Sequence, residues 1–177
     1  MQIEELLTQA DHLKQEAKAV IKETGIVDIL SKIGKIDFVG SYVLNLLYRP
    51  DIDLFVSTDN CSRDKAVATT KEILDNDLFQ TVGYANWTKE KAPNSLPGYY
   101  WELVVYKNEK RWKFDVWYTS EQKIMSIEKT QKILAKLRDN PDARGKILQL
   151  KNELFDGVKY KDNMNGFKIY EKVLGEI

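Results

Sequence analysis

The sequence predicts an α+β fold, with a mixed sheet in the first two thirds and helices after it. Three observations carry this expectation. Residues 2–24 repeat apolar side chains at helical spacing. Residues 51–56 alternate along a strand, and two dense β segments follow at 99–106 and 111–118. Residues 119–177 have helical patterning and no strong strand signal.

Taken in order, Ile3, Leu6, Leu7, Ala10, Leu13, Ala17, Val20 and Ile21 form the apolar stripe of a first helix stopped by Gly25. A short second helix is expected over 26–33. Residues 35–39 form a short strand ended by Gly40-Ser41, and 42–48 supply one or two helical turns closed by Pro50. In 51–56, Ile52, Leu54 and Val56 face one way and Asp51, Asp53 and Phe55 the other. A helix over 62–76 has Ser62 as its N-cap. Strand signal returns at 78–87, and a loop over 88–98 carries Lys89, Lys91, Pro93 and Pro97. Helices are expected over 120–138, 142–155 and 167–174, broken by Asn140-Pro141, Gly157 and Gly166. The division expected is a core over 1–118 with a helical segment over 119–177 packed on it.

The two β segments make a hairpin whose register follows from its turn. With Asn108-Glu109 at the centre, Tyr106 faces Arg111, Leu103 faces Phe114 and Glu102 faces Asp115. Tyr99, Trp101, Leu103, Val105, Trp112, Phe114, Val116 and Tyr118 then share the core face. Tyr100, Glu102, Val104, Tyr106, Arg111, Lys113, Asp115 and Trp117 share the other.

Composition narrows the chemistry. The 177 residues include 27 Lys plus Arg and 27 Asp plus Glu, so no strong net charge favours a polyanionic partner. One Cys, Cys61, and one His, His12, exclude an internal disulfide, a Cys-based zinc cluster and a His-pair mechanism. Cys61 has no neighbour in sequence that would activate a thiolate, and His12 is expected at a surface. No apolar run is long enough for a membrane span, and the N-terminus does not have the pattern of a signal peptide. A reduced, cytoplasmic protein is expected, with chemistry resting on carboxylates, hydroxyls, Lys and Arg.

The carboxylates are the informative feature. Asp51 and Asp53 project from one strand face, where like charges repel unless a cation lies between them. Mg²⁺ suits one or two carboxylates together with substrate phosphates. The plain alternative is two solvated acids at an exposed strand start. Asp115 sits mid-strand, where Asp is disfavoured, and opposite Glu102. Either a cation relieves that pair, or Arg111 and Lys113 neutralise it as an exposed ladder. Gly40-Ser41, after a strand, allows backbone to approach a phosphate, or is simply a turn with a helix cap.

Val39-Gly40-Ser41, then Asp51-Ile52-Asp53-Leu54, then Asp115 resembles the polymerase-β-type nucleotidyltransferase superfamily, in the wording of its small bacterial members. The match covers about 38–118. The resemblance implies a nucleotidyltransferase-like mixed sheet flanked by helices. It also implies transfer of a nucleoside monophosphate from an NTP, in the first instance ATP, to a hydroxyl acceptor with two Mg²⁺ ions, for which Mn²⁺ can substitute. Asp51 and Asp53 would hold both metals, and Asp115 the catalytic one while helping to deprotonate the acceptor. Gly40 and Ser41 would contact the β- and γ-phosphates.

Arg49 is a further candidate for a phosphate, or a solvated loop cation. Asn45 is a polar residue on an apolar stretch, suited to a local cap. Glu102 is a candidate accessory acid. Trp87, Tyr100, Tyr106 and Trp117 are candidates to stack on a base or acceptor, or packing units of the hairpin. The 88–98 loop is a candidate substrate cover. Lysines of the tail, Lys151 among them, are expected on solvated helix faces. The acceptor is a small molecule or a protein; the neutral charge and lack of an RNA-binding module count against nucleic acid. A homo-oligomer is compatible with this reading. The rival is a non-catalytic nucleotide-binding or antitoxin-like interaction module on the same fold.

Overall fold

The computed structural model of the chain describes residues 1–89 and 96–177. The elements run α1 (Ile3–Thr24), α2 (Ile26–Ser31), β1 (Lys35–Val39), α3 (Gly40–Leu44), β2 (Asp51–Ser57), α4 (Arg63–Leu74), β3 (Thr81–Asn86), β4 (Tyr99–Lys107), β5 (Lys110–Thr119), α5 (Met125–Asp139), α6 (Ala143–Leu154) and α7 (Gly166–Leu174). The α+β expectation holds: one five-stranded sheet in the order β1-β2-β5-β4-β3, then three helices. The sheet is mixed, because β2 and β5 run parallel while β5, β4 and β3 are antiparallel in turn.

The contacts group into two compact units. One comprises Met1–Glu16, Val39–Arg49 and Met125–Ile177; the other comprises Ala17–Phe38 and Pro50–Ile124.

In the second unit, the β4–β5 hairpin has the register that its sequence predicts. Glu102 pairs with Asp115, Leu103 with Phe114 and Tyr106 with Arg111. Asn108 (φ 50°) and Glu109 (φ 62°) are both left-handed, as a two-residue hairpin turn of matching twist requires. Trp101, Leu103, Trp112, Phe114, Val116 and Tyr118 are buried on the core face. A one-residue slip would turn that whole set outward, so burial enforces the register. On α4, Ser62 caps the N-terminus by accepting from the Lys65 N–H at 3.4 Å. Thr70 of the same helix accepts from the Trp101 indole N–H at 2.8 Å, which satisfies the polar edge of a buried ring.

In the first unit, Leu6 and Ala10 of α1 join Leu44, Leu46, Ile133, Ile147, Leu148, Ile169 and Tyr170 in a buried cluster. The tail helices are therefore amphipathic for a local reason: α5, α6 and α7 bury their apolar stripes against one another and against α3.

Several boundaries depart from the sequence reading, and the strand expected over 78–87 runs Thr81–Asn86. The turn expected over 42–48 begins at Gly40 and ends at Asn45, whose left-handed backbone (φ 55°) closes the helix. The helix expected from 120 starts at Met125. Before it, the Thr119 hydroxyl accepts from the Glu121 N–H at 3.1 Å and holds a turn after β5. Ile3, placed on the apolar stripe, is 40% exposed. Of the loop expected over 88–98, residues 90–95, including Lys91 and Pro93, lie outside the described residues. Among the described residues no helix is long and apolar enough to cross a membrane.

Gly34 shows how tightly β1 is seated. A Cβ on Gly34 would lie 2.4 Å from the Ser57 carbonyl oxygen and 3.0 Å from Val56 Cγ1. Gly34→Ala should therefore cost about 1–3 kcal/mol, the range for overpacking against backbone. Chemical denaturation of the variant measures it, and an unchanged midpoint would contradict this close approach.

Candidate active site

The acidic residues lie on the second unit's sheet, on the face opposite the buried hairpin aromatics. Parallel pairing of β2 with β5 sets Asp51 beside Lys113 and Asp53 beside Asp115. Antiparallel pairing of β5 with β4 adds Glu102, so Asp53, Asp115 and Glu102 form one row across three strands. Ile52 and Leu54 point the other way into the core, which holds the Asp pair outward. Asp51, Asp53 and Asp115 therefore share one sheet face.

A cation already lies among them. The Lys113 ammonium donates to Asp115 Oδ2 at 2.7 Å and lies 3.8 Å from Asp51 Oδ1. Its backbone N–H donates to Pro50 O at 2.9 Å, which locks the residue beside the start of β2. Burial works against the charge on Lys113. The hydrogen bond to Asp115 and the charges of Asp51, Asp115 and Asp53 outweigh that burial and raise its pKa. The other Asp115 oxygen, Oδ1, accepts from the Tyr100 hydroxyl. Burial, that hydrogen bond and the nearby acids push the Tyr100 pKa far up, so its hydroxyl remains a donor. Arg111 approaches Glu102 at 3.5 Å on a more exposed part of the face. Tyr100 stacks obliquely on Trp117, their centroids 5.0 Å apart.

The donor chemistry fits a hard divalent cation: all the acids offer oxygen, and the Lys113 ammonium marks a place where the fold accommodates positive charge. Among the described residues, no three His, Cys, Asp or Glu are gathered closely enough to hold an ion together.

Gly40 and Ser41 belong to the first unit. Gly40 has φ 63°, a backbone that favours glycine, and its N–H donates to Thr130 Oγ1 at 3.1 Å. Ser41 Oγ shares a hydrogen bond with the Tyr170 hydroxyl at 2.8 Å and accepts from Lys151 at 3.1 Å. Lys151 also donates to Leu46 O at 2.7 Å and to Tyr170 at 3.1 Å. Lys151 corrects the expectation of solvated tail lysines, since it is only 1% exposed. Its place three and four residues after Leu148 and Ile147, both buried, was the available signal.

Arg49 donates to Val158 O at 3.0 Å and lies over the Phe155 and Tyr160 rings, at 5.3 and 5.8 Å. Asn45 is the cap suggested by its sequence position, and its side-chain amide donates to Asp11 at 2.7 Å. Tyr106 is exposed. The Trp87 backbone N–H donates to Gly98 O at 2.8 Å. Cys61 donates to Tyr118 O at 3.5 Å, and burial raises its thiol pKa, the reverse of activation. His12 is exposed. Lys113 and Arg111 pair with Asp115 and Glu102, as the ladder alternative expects, although Lys113 is part-buried; the Tyr100 bond to Asp115 comes from the β4–β5 pairing and has no local sequence signal.

No family model matches the chain, and no curated protein matches its sequence. Solved structures do. A Cid1 poly(U) polymerase structure with Mg and 3'-dATP bound matches with TM-score 0.54 and 14% identity, over 83% of this chain and 46% of that one. The structure of mtPAP with ATPγS matches with TM-score 0.56 and 12% identity, over 98% and 44%. CdnC of E. coli MS115-1 with ATP matches with TM-score 0.51 and 14% identity, over 92% and 57%. The chain has the nucleotidyltransferase fold. It spans about half the length of these structures.

Asp11 offers a pH-dependent check on the α3 end. Partial burial would raise its pKa, but hydrogen bonds from Asn45 and Arg144 and the Arg144 charge outweigh that and lower it. A lowered folded pKa contributes stability above the unfolded value, near 4, and loses it as pH falls through the folded value. Asp11→Asn should cost less than about 1 kcal/mol at neutral pH, given solvent screening. The deficit should shrink below about pH 4, as urea denaturation across pH would show.

Proposed function

We propose that the chain is a Mg²⁺-dependent nucleotidyltransferase that moves a nucleoside monophosphate from an NTP to a hydroxyl acceptor. The observation that carries this is the in-register pairing of Asp53 with Asp115, with Asp51 on the same face, within a nucleotidyltransferase fold. ATP is the first nucleotide to test, because the mtPAP and CdnC structures hold ATPγS and ATP.

In this reading Asp51, Asp53 and Asp115 supply carboxylate oxygens to Mg²⁺. When bound, Mg²⁺ supplies Lewis acidity that neutralises charge building on the phosphate oxygens. Asp115 takes the acceptor's proton as the acceptor oxygen bonds to the α-phosphorus. The bond from that phosphorus to the bridging oxygen breaks, and pyrophosphate leaves with the electron pair. Tyr100, still protonated, holds Asp115 Oδ1 and fixes the carboxylate's orientation. Gly40 and Ser41 are proposed phosphate contacts from their sequence motif; the Gly40 N–H and Ser41 hydroxyl would exchange or share their present partners. Arg49 is a further proposed phosphate contact from its sequence position, and it would exchange its bond to Val158 O and its place over two aromatic rings. A small molecule or protein is the proposed acceptor, on the neutral charge balance. Lys113 favours one second reading: an acidic face neutralised from within suits a module that binds nucleotide without chemistry.

The test is transfer of α-labelled ATP, and of the other NTPs, to a panel of small molecules, proteins and RNA. Label should appear in product with Mg²⁺ and vanish with EDTA. Asp53→Asn should lower the rate roughly 100-fold or more, the scale for losing one group that stabilises the transition state. Its circular dichroism should be unchanged. Undiminished transfer by the variant would rule out the assignment.

A further inference from the structure

Lys113 occupies a position that the proposed chemistry does not use. Its ammonium is 2.7 Å from Asp115 Oδ2 and 3.8 Å from Asp51 Oδ1, and its side chain is only 23% exposed. These are two of the carboxylates assigned to Mg²⁺. A divalent ion on a carboxylate oxygen sits about 2.0–2.1 Å from it. An ammonium hydrogen-bonded to the same oxygen is then within a few ångströms of the ion, where like charges repel strongly in a partly desolvated site. The two cations therefore compete for one place.

We infer that Lys113 is a positioning residue: an internal counter-ion that holds Asp51 and Asp115 when no metal is bound and that a divalent ion must displace. The inference rests on the metal-dependent reading above. Three features support displacement over permanent neutralisation. Lys carries a compact charge on a flexible four-carbon stem, so its head can leave while its backbone stays in the sheet. The Lys113 backbone is independently held by its N–H bond to Pro50 O and by pairing with Asp51 and Val104. Asp115 keeps the Tyr100 hydroxyl on its other oxygen, so its carboxylate remains oriented after the ammonium goes. The consequence is functional: Lys113 sets the free metal concentration at which the acidic face loads, and it keeps mutually repelling acids in place below that concentration.

The experiment is Mn²⁺ titration by calorimetry on the full chain, alongside thermal melts in EDTA and in Mn²⁺. It compares wild type, Lys113→Met and Lys113→Arg. Lys113→Met keeps the stem and removes the charge. It should bind Mn²⁺ at least tenfold more tightly than wild type, melt lower in EDTA, and gain more from Mn²⁺ than wild type gains. Lys113→Arg keeps the charge and should bind Mn²⁺ no more tightly than wild type. If Lys113→Met does not fold in EDTA, recovery of its melting transition on adding Mn²⁺ supports the inference, and failure to recover overturns it. Wild type binding Mn²⁺ with Lys113→Met equal or weaker overturns the role of Lys113 and leaves the metal reading standing. No Mn²⁺ binding by any of the three proteins overturns both.

Discussion

The parallel pairing of β2 with β5 is the constraint on which the candidate site depends. Asp51 and Asp53 come from one strand and Asp115 from another, far along the chain. Backbone hydrogen bonds between those strands set Asp53 beside Asp115 and Asp51 beside Lys113. Burial enforces the alignment. Ile52, Leu54, Phe114 and Val116 are all sequestered on the opposite face, so a one-residue shift of either strand would bring apolar groups out and acids in. The same force that builds the core thus concentrates negative charge on the other side of the sheet.

That concentration has to be relieved, and the fold does so with groups from the same strands. Lys113 lies two residues before Asp115 on β5, so period-2 geometry alone places it on the acidic face. Tyr100 on β4 donates to the Asp115 oxygen that Lys113 leaves open. Both Asp115 oxygens are engaged, one by a charge and one by a neutral donor. The two bonds differ in kind: a charged partner can be replaced by another cation, whereas the hydroxyl remains as an orienting contact. Arg111 and Glu102, farther out on the hairpin and more exposed, form a pair of the ordinary surface type.

The first unit solves a different electrostatic problem. Lys151 is buried, yet its ammonium reaches a carbonyl and two hydroxyls, Leu46 O, Ser41 Oγ and Tyr170 OH. Hydrogen bonds of this number reduce the cost of removing the charged head from water. The effect is to tie α6 and α7 to the Gly40–Ser41 turn. Gly40 is tied to α5 as well, through Thr130. The tail helices therefore do more than present solvated charge, since they supply the hydrogen-bonding environment of the Gly-Ser motif.

The α+β class, most element positions, the hairpin register and the shared orientation of the acids are all legible in the amino-acid order. These are short-range properties: helical and strand periodicity, glycine at left-handed positions and a two-residue turn all act within a few residues. Long-range packing set β5 beside β2, brought Lys113 near Asp51 as well as Asp115, and placed Lys151 in the interior. It also decided that residues 39–49 group with the tail helices, although they precede most of the sheet in the chain. Strand order and long side-chain partners follow from which apolar faces are buried together. That is a property of the whole fold, and no local pattern encodes it.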